Sequence, residues 1–130
     1  MSESIDKISK GSQSLAEIME HCTGTESYHS FPLFPQLYFT DGVATFIEAA
    51  NAWWFVSDTI IEIIRLKQKH QDATSFTAVH LSVKDEKADV TFSDGNDNVW
   101  KKKHYTYTDC PNCNLVFFFI DGVFMYAGEY

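Results

Sequence analysis

Cys110 and Cys113 stand at C-x-x-C spacing inside Thr108–Asn114, "TDCPNCN". Two thiols so placed suit half of a zinc clamp, a dithiol redox centre, or a plain turn. A structural zinc site needs four ligands and commonly draws them from two such pairs. There is no second C-x-x-C, and Cys22, His21, His29, His70, His80 and His104 stand at no knuckle spacing from one another. The remaining metal combination is Cys110, Cys113 and His104 with a distant group. A redox dithiol belongs at a helix N-terminus, where the dipole lowers the thiol pKa. Here Asn114 leads straight into an apolar, strand-like run. Pro111 and Asn112 fit the central positions of a β-turn. The spacing therefore predicts a strand-to-strand turn that carries thiols, with no cofactor. A metal-binding or thiol-dependent protein using Cys110, Cys113 and His104 is the alternative.

Asp58 and Glu62 stand four apart in a helical pattern, on one face. Such a pair could act as acid and base or hold a cation. A solvated face is the plainer reading, because no third ligand follows at helical spacing. Lys101, Lys102, Lys103 and His104 form the one basic cluster. With Trp100, Tyr105 and Tyr107 beside it, the segment Trp100–Tyr107 could stack the bases of a single strand. Lysines also guard exposed sheet edges against association. Strand alternation sets Lys101 and Lys103 on one face and Lys102 with Trp100 and His104 on the other. No phosphate loop, dinucleotide fingerprint, nucleophile elbow or zincin motif is present. No catalytic residue is singled out, and a non-enzymatic reading is favoured.

These residues must be held by a few recognisable elements. Ser14 and Glu17 have capping-box spacing, which predicts a short helix from Leu15 to about His21. Pro32 and Pro35 predict an irregular segment from Ser27 to Gly42. Thr40 or Asp41 then caps one long helix reaching to about His70. At 100° per residue, Val43, Phe46, Ile47, Ala50, Trp53, Trp54, Ile60, Ile61 and Ile64 form an apolar stripe. Ala52, Phe55, Val56, Ile63 and Leu66 form a second apolar lobe. Two apolar sides call for two covers, one of them a sheet and the other a helix, the Pro-rich segment or a second copy. Alternating runs at 76–84, 88–92 and 99–108 read as strands, "LVFFFI" as a central strand, and Asp121-Gly122 as a hairpin into "VFMYA". The expected fold is α+β: an antiparallel meander of about five strands on one long helix, with a short N-terminal helix. Residues 1–130 read as a single domain, with 1–13 loosely ordered.

The 130 residues hold eleven Phe, six Tyr and three Trp, enough for an aromatic core with some to spare for a contact surface. The formal net charge is −8. An acidic surface disfavours nucleic acid and anionic membranes. It suits a basic partner. The N-terminus lacks the pattern of a signal peptide, and three cysteines do not make a disulfide framework, so a cytoplasmic location is expected.

"CTGTESYH", "LYFTDGVATFIEAANAWWFVSDTI", "DVTFSDGN", "YTYTDCP" and "GVFMYAGEY" give the chain a further character. From Leu15 to Tyr130 it resembles a family of small proteins of unknown function found in bacteria, phages and mobile elements. The most specific pieces are Thr23–Glu26, Tyr38–Val43 and Glu129-Tyr130. The resemblance carries no catalytic residue, and relatives usually lack the C-x-x-C pair. It implies a mobile-element setting, in which small acidic proteins bind and disable host machinery. The expected function is thus a non-enzymatic domain that binds a host protein, of the anti-defence or anti-CRISPR kind. Trp54, Phe55, Asp58, Glu62 and Leu66 are the candidate contact residues, and a homodimer is open. Single-stranded nucleic-acid binding through Trp100–Tyr107 is a further alternative.

Overall fold

The computed structural model describes residues 15–69, 76–96 and 98–130. The expected cap Ser14, the loosely ordered 1–13 and His70 lie outside the described residues. Helix α1 spans Leu15–Glu20, and the strands β1 Tyr28–Phe31 and β2 Phe34–Thr40 follow. Helices α2 Asp41–Ala50 and α3 Trp53–Leu66 come next. Strands β3 Phe76–Lys84, β4 Lys87–Ser93, β5 Val99–Tyr105, β6 Cys113–Ile120 and β7 Val123–Tyr126 complete the sheet, and Ala127–Glu129 forms a 3₁₀ turn.

The architecture is α+β, with one seven-stranded sheet in the order β1-β2-β7-β6-β3-β4-β5. The five expected strands are present, and "LVFFFI" is the central one, β6. Two features depart from the expected five-stranded antiparallel meander. The pairing of β2 with β7 is parallel. The Pro-rich segment, expected to be irregular, forms the β1–β2 hairpin. Pro32 falls in its turn. Pro35 falls in a bulge, because Ser30 pairs with Tyr38 and Phe31 with Phe34, so residues 35–37 face no partner on β1. A proline is tolerated where no ladder hydrogen bond is required.

The expected long helix is two helices. Asn51 adopts φ 52°, ψ 48°, the left-handed conformation, and its N–H returns to the Ile47 carbonyl. Asparagine tolerates that conformation better than most residues. The break resets the helical phase. In α2 the buried side chains are Val43, Phe46 and Ala50, as the stripe predicts. In α3 they are Phe55, Val56, Thr59, Ile60, Glu62, Ile63 and Leu66. The supposed second lobe is therefore the core face, and Trp53 and Ile61 of the supposed stripe turn outward. One core covers both helices, so the lobe needs no second copy to bury it. It joins Val79, Leu81, Val83, Val90, Phe92, Leu115, Phe117 and Phe124 from one face of the sheet. Each such side chain contributes about 1.5–3 kcal/mol on burial.

Candidate functional site

Strand β5 is an edge of the sheet and runs beside α3. Its register pairs Lys103 with Val90 and Tyr105 with Ala88. Val90 and Ala88 are buried, so Lys103 and Tyr105 also turn toward the helices. Lys103 Nζ donates to Asp58 Oδ2 at 2.7 Å and lies 3.6 Å from Glu62 Oε1. The Tyr105 hydroxyl donates to the same Asp58 oxygen. Arg65 Nη1 lies 3.8 Å from Glu62 Oε1. The Tyr105 ring packs edge-on against Trp54, with centroids 5.1 Å apart. The two acids seen in sequence and the basic strand thus form one helix-to-strand clasp.

Burial opposes ionisation of Asp58, but the hydrogen bonds from Lys103 and Tyr105 and the ammonium charge outweigh it, and the carboxyl lies below its ordinary range. Burial, with the bond to Asp58 and the charges of Asp58 and Glu62, pushes the Tyr105 phenol up. A carboxylate held down and a phenol held up are both poorly matched to proton transfer near neutral pH. The clasp is built to hold a strand, not to move a proton.

The thiols form a second cluster. Cys113 pairs with Val83, Val83 with Ala88 and Ala88 with Tyr105, a row that faces the helices. His104 stands on the next row, its Nδ1 2.8 Å from Asp89 Oδ1, and faces away from them. The sheet therefore separates His104 from Cys113, and the three do not converge. Among the described residues no group of three or more His, Cys, Asp and Glu could hold a metal ion. Cys110 and Cys113 touch each other. That contact, with burial, raises the Cys110 thiol, and it holds Cys113 down against burial. Cys110 lies in the irregular connection between β5 and β6, and Cys113 opens β6. Asn112 Oδ1 accepts from the Asp85 N–H at 3.1 Å, and the Thr108 N–H donates to the Glu86 carbonyl at 2.8 Å.

A third cluster gathers the pieces of sequence that carry the family resemblance. All three first amides of α2 are satisfied by side chains. The Asp41 N–H donates to Thr25 Oγ1 at 2.8 Å, the Gly42 N–H to Glu129 Oε2 at 2.8 Å, and the Val43 N–H to Thr40 Oγ1 at 3.4 Å. Thr40, not Asp41, is the cap. Glu129 Oε1 also accepts from the Thr40 hydroxyl at 2.6 Å and the Tyr126 N–H at 2.9 Å. Asp41 turns outward and accepts from the Glu26 and Ser27 amides and from His29 Nε2 at 2.9 Å. An Asp–His pair orients an imidazole, but it supplies no nucleophile of its own.

Of the candidate contact residues, Phe55 and Leu66 lie in the core. Trp54 packs on Phe55 and Tyr105, and Asp58 and Glu62 belong to the clasp. The segment Trp100–Tyr107 is not one platform, since Trp100 and Tyr105 pack against the core while Tyr107 is exposed and donates to Asp109. What the sequence did not single out is a groove between the hairpin turn and the outer side of α3. Phe31, Pro32, Leu33, Phe34, Trp53, Ser57, Ile60 and Ile61 line a cleft of about 250 Å³. Leu33 is 80% exposed, Trp53 38% and Ile61 37%. A neighbouring cleft of about 400 Å³ shares Phe34 and adds Leu37, Ile64 and Phe119. Asn51 was the available signal: a turn-forming residue between two apolar helical runs.

No helix among the described residues is long and apolar enough to cross a membrane. Neither the curated proteins nor the solved structures contain a match to this chain. The model of one family, described as a family of unknown function (DUF6876), matches residues 13–130, and the chain belongs to that family.

Proposed function

We propose that this protein is a non-enzymatic binding domain that docks a partner protein into the groove between the β1–β2 turn and α3. The observation that carries the reading is the exposed apolar set Leu33, Trp53 and Ile61 around a cleft already formed by Phe31, Pro32 and Phe34. Trp53 and Ile61 sit about two helical turns apart, roughly 12 Å along α3, a spacing suited to the i, i+7 anchors of an amphipathic helix. Aromatic anchors in apolar clefts are where binding energy concentrates. The formal charge of −8 favours a partner whose rim is basic. The resemblance to proteins of phages and mobile elements extends the proposal to a host protein, of a defence system such as CRISPR.

The test is capture from host lysate by the wild type, Ile61→Asp and Lys102→Ala. Ile61 is on the groove, and Lys102 is on the opposite face of the sheet. One dominant partner, retained by Lys102→Ala and lost with Ile61→Asp, supports the reading. Equal capture by all three counts against the groove. Light scattering on the isolated protein reports whether a second copy fills it instead.

A further inference from the structure

The paired thiols take no part in the groove, the clasp or the capped start of α2. All three cysteines are free. Cys110 is 4% exposed and belongs to the core, while Cys113 is half-buried and packs against it. The third, Cys22, bonds to Thr45 of α2 instead. The loop before β6 is tied down on both sides of Cys110. On one side the Thr108 N–H donates to the Glu86 carbonyl at 2.8 Å, and the Thr108 hydroxyl accepts from the Cys110 N–H at 3.1 Å. On the other side Asn112 Oδ1 accepts from the Asp85 N–H at 3.1 Å. Asp85 and Glu86 make the β3–β4 turn, at φ 53° and 67°. Cys113 then enters β6 opposite Val83, two residues before that turn.

Anchored in this way, the loop holds two sulfurs against each other without a helix or a metal. The Cys110 thiol, and after it the Val83 amide, hydrogen-bond to Cys113 and hold its thiol below the ordinary range against burial. The same bond, with burial, raises Cys110. The first proton to leave the pair therefore comes from Cys113, and Cys110 keeps its own. A thiolate is the attacking form of cysteine. The helix N-terminus that usually supplies it is replaced here by a neighbouring thiol and a strand amide. Exposure points the same way, since Cys113 is the more open of the two.

We propose that Cys110 and Cys113 form a redox dithiol that exchanges with a low-molecular-weight disulfide of the oxidised-glutathione class, Cys113 attacking and Cys110 resolving. The Cys113 thiolate attacks one sulfur of the small disulfide. That S–S bond breaks, one glutathione thiolate leaves and takes up a proton, and a mixed disulfide forms on Cys113. The Cys110 thiol then loses its proton and attacks the Cys113 sulfur. The mixed disulfide breaks, the second glutathione leaves as a thiol, and the Cys110–Cys113 bond closes. The protein gives up two electrons and two protons, and one oxidised glutathione becomes two reduced ones. Cys110 meets no outside reagent in this order, since it need reach only the sulfur it already touches. The exchange is independent of the groove.

The test exposes the reduced, folded protein to millimolar oxidised glutathione, quenches it with acid, alkylates the remaining thiols and reads the products by mass spectrometry. In the wild type, alkylation should fall from three cysteines to Cys22 alone, with no lasting glutathione adduct and with Cys110 joined to Cys113 in the peptide map. Dithiothreitol should restore both thiols. Cys110→Ala should trap one glutathione on Cys113, and Cys113→Ala should take up glutathione at Cys110 about tenfold more slowly or less. Amide NMR spectra check that both variants fold. The wild-type result needs neither variant, and rapid quenching of the wild type should catch the mixed disulfide on Cys113 first. Four results overturn the proposal: all three cysteines still alkylated, a lasting glutathione adduct in place of the internal bond, a bond that uses Cys22 or joins two chains, or a mixed disulfide that appears first on Cys110.

Discussion

Thr59 is the one buried side-chain polar atom without a partner among the described residues. An unsatisfied hydroxyl in a core costs about 1–3 kcal/mol of desolvation. Thr59→Val keeps the shape and removes the hydroxyl, so it should leave stability unchanged or raise it by about 1 kcal/mol in urea unfolding. Asp41 makes the opposite case. The Glu26 amide, then the His29 imidazole, hold its carboxyl down at about 2. A depressed carboxyl adds stability above its unfolded value of about 4 and loses it as pH falls toward the folded value. Carbon-detected NMR titration should place its midpoint near 2, and Asp41→Asn should remove that part of the acid dependence. Little of this was legible beforehand. Thr40 and Asp41 were visible as cap candidates, but Thr25 and Glu129 reach the helix from distant sequence, and no local pattern announces them. The clasp was half legible: Asp58 with Glu62 and Lys103 with Tyr105 each stood out, while their meeting depends on how α3 lies beside β5.

Among the elements, the helix break had the largest consequence. A continuous 100° count through Asn51 gives the right face for α2 and the wrong one for α3, because a single left-handed residue resets the phase. Asn51→Gly should be within a few tenths of a kcal/mol of wild type, since glycine accepts φ 52° freely. Asn51→Ala should cost about 1 kcal/mol. A helix made continuous through residues 51–52 would swing Phe55, Val56 and Ile63 out of the core, so the costly outcome falls on α3 and not on the capped start of α2. The strands were more legible than the helices. Strand patterns repeat every two residues, and 76–84 and 88–92 each bury one face, so alternation identifies them directly, while the continuous apolar run "LVFFFI" marks the central strand. The β1–β2 hairpin was missed because its bulge absorbs Pro35, which pattern reading treats as a breaker.

Across the whole molecule the weakest joint is the parallel seam between β2 and β7. Only Tyr38 with Val123 and Phe39 with Phe124 are paired there, next to the eight-pair ladder of β3 and β6. The hairpin β1–β2 is therefore attached to the rest of the fold by a short ladder to the main sheet, by the aromatic contacts of Phe31 and Phe39 with Trp53 of α3, and by Glu129. Glu129 joins residues 87 apart: it receives Gly42 of α2, Thr40 of β2 and its own turn at Tyr126. A Cβ on Gly42 would come within 2.4 Å of the Glu129 carboxyl, so the approach depends on glycine there. Removing the carboxylate should release several bonds at once. Glu129→Ala is expected to cost about 1–2 kcal/mol, the range of a lost cap. Its distinctive effect should be local. Native-state hydrogen exchange should quicken in β1, β2 and the first turn of α2, while the central amides of β3 and β6 keep opening only with global unfolding. Gly42→Ala should reproduce that pattern by pushing the same carboxylate aside. Uniform loss of protection across all strands in both variants would mean that the hairpin and the main sheet open together and that Glu129 is not the fastening between them.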